Sequence, residues 1–168
     1  YIFIAWSNGA TASLLFKTLD QQGAYAKAVP VTGLAGVATY DAYGTFLEGT
    51  KAVLSSSYFP GASKTKAYLD LEEAYAKSGK AQDLFTPTGA DAARMVVRAL
   101  TNNTAQDVDK MISSLEGFSW TGIKGRMTIR PTDHVLIQPM YLAKLSKNGT
   151  KYLPSLVKTI QSVQTPAS

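Results

Sequence analysis

Three short apolar runs, with helix-forming chain between them, constrain this sequence more than any other feature. They are Tyr1–Trp6, Ala28–Thr32 and Lys51–Ser56, each bounded by Gly, Ser or Asn. Apolar runs of roughly four to eight residues closed by turn formers read as buried strands. Between the first two lies 11–23, where Leu14, Leu15 and Leu19 form an apolar set and Gly23 supplies a stop. Between the second and third lies 38–47, also read as helix. A further helix is expected over 64–78, ending at Gly79. Parallel strands need a crossover, usually a helix, so this alternation predicts βαβ units. The fold class is therefore α/β, a parallel sheet flanked by helices.

The middle of the chain is helical by its spacing. Thr86-Pro87 predicts a helix start, with Thr86 as N-cap and Pro87 at the first helical position. Ala92, Met95, Val96, Ala99 and Leu100 then form one stripe. A second helix is expected from Thr104, with Asp107 completing a variant capping box and Gly117 ending it. Val108, Met111, Ile112 and Leu115 repeat the stripe. The last third is expected to be β-rich, with strands at 127–130, 138–145 and 152–157. Asn148-Gly149 is the strongest hairpin signal in the chain, and 165–168 reads as a loose tail.

Composition removes several functional classes. There is no cysteine, so disulfides, thiolate metal sites and cysteine nucleophiles are out. The formal charge is +5, but its Lys and Arg are scattered and form no basic stripe, so nucleic acid is not an expected partner. No apolar run approaches the roughly 18 residues that span a bilayer. The sequence opens at Tyr1 directly on an apolar run, as expected of a piece of a longer chain.

Convergent chemistry is not visible. His134 is the only histidine and is expected to be structural or at the surface. No G-x-S-x-G elbow occurs, and no His or carboxylate cluster has metal-ligand spacing. Asp107 and Asp109 suit a helix start, and Glu72 and Glu73 a solvated helix face. Gly33-Leu34-Ala35-Gly36 reads as a tight strand-to-helix turn rather than a dinucleotide fingerprint. The chain is thus expected to be no enzyme and to need no cofactor.

Binding is another matter. Trp6-Ser7-Asn8-Gly9 leaves the end of a strand and enters a helix, and ligands of open α/β sheets bind at that edge. Trp6 offers an apolar face, Ser7 and Asn8 offer hydrogen bonds, and the helix start attracts anions. The alternative is a capping loop whose Trp packs into the core. Tyr58-Phe59-Pro60-Gly61 follows the third strand in the same way. Loops of this kind, without charge at their centres, describe a small-molecule pocket.

Ordered short motifs then carry a resemblance over nearly the whole chain. They are Ser57-Tyr58-Phe59-Pro60-Gly61-Ala62-Ser63; Asp83-Leu84-Phe85 with Gly89-Ala90-Asp91-Ala92-Ala93; and Leu115-Glu116-Gly117-Phe118 with Gly122 and Lys124-Gly125. The sharpest runs from Thr128-Ile129-Arg130-Pro131 through Asp133-His134 to Gln138-Pro139-Met140-Tyr141. Together they resemble the second half of type I periplasmic binding proteins of the branched-chain amino-acid transporter class.

That resemblance implies two α/β lobes, a hinge that closes on a small molecule, and docking on a membrane ABC permease. It implies residues 1–83 as the ligand-binding second lobe and 84–134 as hinge-crossing helices and strand that pack on a first lobe. It further implies 135–160 as return strands and 161–168 as tail. The implied contacts are Trp6, Ser7 and Asn8 after the first strand and Ala35, Gly36 and Val37 after the second, with Tyr58 and Phe59 nearby. Amino-acid-binding members often carry a carboxylate in the second loop. Leu34-Ala35-Gly36-Val37 has none, so an aromatic or aliphatic carboxylate is expected ahead of an amino acid unless the first lobe supplies the acid. The implied location is periplasmic or extracellular, lipid-anchored in a Gram-positive bacterium. Self-association through the helices around Met95 and Met111 is expected of this piece alone. A ligand-sensing regulator of the same fold and a doubly wound enzyme fragment are the alternatives.

Overall fold

The computed structural model describes residues 1–6, 8–101, 103 and 107–163. The chain forms two compact units, 1–62 with 141–159 and 63–140 with 160–168. One boundary between the units falls after residue 62. Thr65 is the reason. Its hydroxyl donates to the Gly122 carbonyl at 3.0 Å, tying the helix it caps to the second unit rather than the first.

In the first unit the expected alternation is present. β1 (Ile2–Ile4), β2 (Pro30–Gly33) and β3 (Val53–Ser56) pair in parallel, in that order. β1 stops short of Trp6, so the first apolar run is part strand and part loop. The crossovers are α1 (Gly9–Gln21) with the short α2 (Ala24–Lys27), and a 3-10 turn at Val37–Thr39 leading into α3 (Tyr40–Leu47). α1 and α3 pack on each other, as two crossovers of the same hand require. Phe16 meets Tyr43 edge to face at 4.8 Å between ring centres. The inward set of α1 is Ala12, Leu15, Phe16 and Leu19, a helical period, while Leu14 of the expected set is exposed. Ile4, Leu54, Tyr40, Leu47, Phe59 and Tyr141 complete this core.

The sheet then turns antiparallel. β6 (Leu136–Asn148) pairs with β3, with Leu54 opposite Ala143. The Asn148-Gly149 hairpin forms as expected, Gly149 taking φ 62°, and β7 (Lys151–Val163) returns along β6. Tyr152 anchors the hairpin. Its ring lies on Gly44 of α3, its N–H donates to Asp41 at 2.7 Å, and its hydroxyl donates to Glu48.

The second unit contains α4 (Lys66–Ser78), α5 (Thr86–Leu100), α6 (Val108–Leu115), the hairpin β4 (Ser119–Gly122) and β5 (Gly125–Ile129), and the start of β6. β4 was not expected from the sequence. Thr65 caps α4 by accepting the Tyr68 N–H at 3.1 Å. One predicted cap moves. Phe85, not Thr86, is the N-cap of α5, and Thr86 lies inside the helix, its hydroxyl accepting the Asp83 N–H. α6 starts at Val108 with Asp107 as its cap, accepting the Lys110 N–H at 3.1 Å. The expected start at Thr104 and the tail at 165–168 lie outside the described residues. Trp120, Met127 and Ile129 make the core, with Met95, Leu115, Phe118 and Leu136 against it. Of the α5 stripe only Ala99 is buried; Val96 and Leu100 are exposed.

Candidate functional site

β1, β2 and β3 end side by side, and a cleft of about 340 Å³ opens at those C-terminal ends. The strands contribute Phe3, Ile4, Thr32, Gly33 and Ser55, and the loops beyond them contribute Ala5, Trp6, Leu34 and Ala35. Tyr43 reaches it from α3. Register explains the meeting: Gly33 sits opposite Ser55, so the second and third strands end level. Among the described residues no charged side chain belongs to this lining.

Trp6 is half exposed, at 49%, and is not absorbed into the core. Its indole N–H donates to the Thr11 hydroxyl in the first turn of α1 at 2.8 Å, which fixes the ring's edge. The Asn8 carbonyl accepts from the Ala12 N–H at 3.1 Å, the first i→i+4 bond of α1, so Asn8 marks the helix start. Ser7 lies outside the described residues. In the second loop, Thr39 donates to the Gly36 carbonyl through both its N–H and its hydroxyl, at 2.9 and 2.8 Å. Ala35 lines the cleft, while Gly36 precedes the 3-10 turn whose first residue is the exposed Val37.

Tyr58 and Phe59 lie behind the surface rather than on it. Both are fully buried, at 0% and 1% exposure, and Phe59 packs edge-on to Tyr141 in the core. They do not line the cleft. The peptide after β3 turns inward because Ser56 bonds back to Tyr58, its hydroxyl donating to the Tyr58 carbonyl at 2.6 Å.

Phe3, Thr32, Ser55 and Tyr43 were missed as lining residues. The signal for Phe3 was the alternation of β1, which turns Ile2 and Ile4 inward and leaves Phe3 out. Burial raises the Tyr43 phenol above its ordinary pKa, so it stays a neutral hydroxyl. Thr32 spends its hydroxyl on the Ile4 carbonyl at 2.9 Å, bracing two of the strand ends.

His134 stands apart from this chemistry. It occupies a turn of the second unit with φ 60°, where its N–H donates to the Arg130 carbonyl and its Nε2 lies 3.0 Å from Glu116. Among the described residues no group of three His, Asp or Glu side chains is arranged to hold a metal.

The first unit is thus a mixed sheet with a cleft of about 340 Å³ at its parallel ends. Comparison gives the chain a family. The periplasmic binding protein family matches residues 2–150, and the chain belongs to it. An ABC-type branched-chain amino acid transporter protein from Rhodopseudomonas palustris CGA009 is similar in structure, with a TM-score of 0.79 and 25% identity. The match covers 96% of this chain and 43% of that one. A leucine-, isoleucine-, valine-, threonine- and alanine-binding protein from Brucella ovis, in its closed conformation, matches with TM-score 0.73 and 21% identity over 99% of this chain and 46% of that one. A solute-binding protein of an ABC transporter from R. palustris BisB5, in complex with 3,4-dihydroxybenzoic acid, has the same fold. Its TM-score is 0.68 with 18% identity, over 98% of this chain and 46% of that one. The chain therefore spans less than half the length of these three structures. No curated protein matches. The family is one of periplasmic binding proteins, and the R. palustris BisB5 relative is a solute-binding protein of an ABC transporter.

Proposed function

We propose that this chain is the gripping part of the substrate-binding component of an ABC importer. Its solute is a small organic molecule, an aromatic or aliphatic carboxylate ahead of an amino acid. The observation that carries this reading is the cleft at the ends of β1–β3, ligand-sized and without a charged side chain in its lining. An α-ammonium brought here meets no carboxylate, and an unpaired buried cation is costly. A carboxylate fares better, because the start of α1 adjoins the cleft through the Trp6–Thr11 bond. The helix dipole there favours negative charge. The half-exposed Trp6 face offers stacking to a ring.

In this reading Trp6, Ser7, Asn8, Ala35, Gly36 and Val37 touch the solute, and Tyr58 and Phe59 back the wall from within the core. A first lobe closes the other side of the cleft by hinge motion, and the closed form docks on a membrane permease. The protein works outside the cytoplasmic membrane, held by a lipid anchor in a Gram-positive cell. The test is a thermal-shift screen of this chain within a protein of its relatives' full length. A solute at about 100 times its dissociation constant adds roughly 2.7 kcal/mol of stability. Stabilisation by benzoates or aliphatic acids supports the reading; stabilisation by amino acids alone overturns the ligand class, and catalytic conversion of the bound solute overturns the function.

A further inference from the structure

The parallel strands of the first unit have a second end, opposite the cleft, and it is built of lysines. Lys27 closes α2 just ahead of β2, and Lys51 stands just ahead of β3. These two line a depression of about 280 Å³ that includes Tyr25, Gly49 and Thr50. Lys144 and Lys147 line a second, of about 230 Å³, with Glu48, Gly49, Thr50 and Tyr152. Topology brings them there: β6 runs antiparallel to β3, so beyond Ala143 it leaves past the start of β3. The depressions share Gly49 and Thr50, so four lysines from three chain segments gather along one edge. All four are exposed, and none forms an ion pair with a described residue.

The acids near this edge contact tyrosines rather than these lysines. Glu48 accepts the Tyr152 hydroxyl and Asp41 accepts the Tyr152 N–H. Asp20 acts on Tyr25, whose phenol is pushed up to about 12, by burial first and by that carboxylate second. These contacts are with neutral groups and do not cancel the charge of the carboxylates, so the edge carries both signs, with its four ammonium groups exposed and outside any ion pair with a described residue.

We propose that this lysine edge is a docking surface for an anionic phospholipid membrane. A site for one small anion would converge buried, fixed donors, as arginine forks do. Here the donors are point charges on long, mobile stems, spread over two shallow depressions. Such an array suits a plane of phosphate groups, where charge density matters and stereochemistry does not. No exposed large apolar side chain lines either depression, so attachment is electrostatic and without insertion. The proposal is independent of the identity of the solute.

Co-sedimentation of the 168-residue chain with vesicles tests it. Phosphatidylcholine vesicles containing phosphatidylglycerol should carry the protein down at low salt, and phosphatidylcholine alone should not. Binding should fall as salt shortens the Debye length. At roughly five-fold per lysine, the variant K27Q/K51Q/K144Q/K147Q should lose several hundred-fold in partition. A control, K77Q/K80Q on the second unit, should retain it. Should the quadruple variant melt early, the pairs K27Q/K51Q and K144Q/K147Q are read separately, each expected to lose about 25-fold. The proposal is overturned by equal binding to neutral vesicles, by parental binding of the lysine variants, or by an equal loss in the control. Competition by millimolar inorganic phosphate at constant ionic strength would also overturn it, in favour of a small-anion site.

Discussion

Replacing Asp91 by Asn, or Lys124 by Met, removes one half of a buried ion pair in the second unit. Both residues are 5% exposed. The carboxylate of Asp91 accepts the Trp120 indole N–H at 3.2 Å through Oδ1, and its Oδ2 lies 3.7 Å from the Lys124 ammonium without a hydrogen bond. That ammonium donates to Gln138 at 2.5 Å. The pair is therefore held by charge at a loose distance, while each end also has a good neutral partner. Burial dominates both titrations, raising Asp91 above the usual carboxylate range and lowering Lys124 below the usual amine range. Breaking such a pair from one side strands a buried charge, a cost of about 3–5 kcal/mol. Replacing both ends together, D91N/K124M, should cost far less, about 1 kcal/mol or nothing. The two single variants should also respond oppositely to pH. In D91N the stranded group is an amine of lowered pKa, so the deficit is full at neutral pH and eases as pH rises into the alkaline range. In K124M it is a carboxylic acid of raised pKa, so stability recovers as pH falls through that value and is lost as pH rises through it. Urea unfolding of the four proteins of the cycle measures all of this. Additive losses, or parallel pH slopes in the two single variants, would refute the account.

Three further outcomes follow from the packing and the cleft. A Cβ at Gly44 falls on the Tyr152 ring, so G44A should cost about 1–3 kcal/mol in urea unfolding, and the smaller partner in G44A/Y152A should relieve the overlap. Ala35→Asp places a carboxylate in the uncharged cleft, so it should weaken acids and admit amines in a thermal-shift panel at full length. Val97, Leu100 and Ile112 leave apolar surface open on α5 and α6, so light scattering should find the isolated chain associating with concentration. Val97→Lys with Ile112→Lys should then shift it towards monomer.

Much of the first unit was legible because one physical rule governs each element. Short apolar runs between helices can only be satisfied by parallel strands with crossovers, and Asn148-Gly149 dictates its turn locally. What escaped depended on distant partners. β4 is only four residues, and it exists because Trp120 finds Met127 across the hairpin and Asp91 on a helix. Thr86 had the right chemistry for a cap, but the chain at Asp83 began the helical turn one residue earlier. At the cleft, the position of the loops after strands was what singled them out. Treating all three loops alike left the burial of Tyr58 and Phe59 unforeseen. Ser56 bends the third one back, and no propensity announces a hydroxyl that will bond two residues onward. Strand alternation could have revealed Phe3, since it is the only large side chain of β1 facing away from the core.

The two ends of the first unit's strands carry opposed characters, and their separation decides whether they influence each other. β2 and β3 are four residues long, about 13 Å at roughly 3.3 Å per residue. At physiological salt the Debye length is about 8 Å, so the lysine edge lies more than one screening length from the cleft. An unscreened pair of unit charges at that distance in water is worth roughly 0.3 kcal/mol, and screening cuts this to below about 0.1. Four lysines together then change the affinity of an acidic solute by less than about two-fold. K27Q/K51Q/K144Q/K147Q, carried in a protein of full family length, should therefore bind its solute almost as the parent does while losing its hold on anionic vesicles. Isothermal titration at two salt concentrations checks this. A solute affinity that falls ten-fold with the lysines would mean that the sheet transmits charge through its low-dielectric interior. The neutral lining could then no longer be treated as the whole electrostatic environment of the ligand.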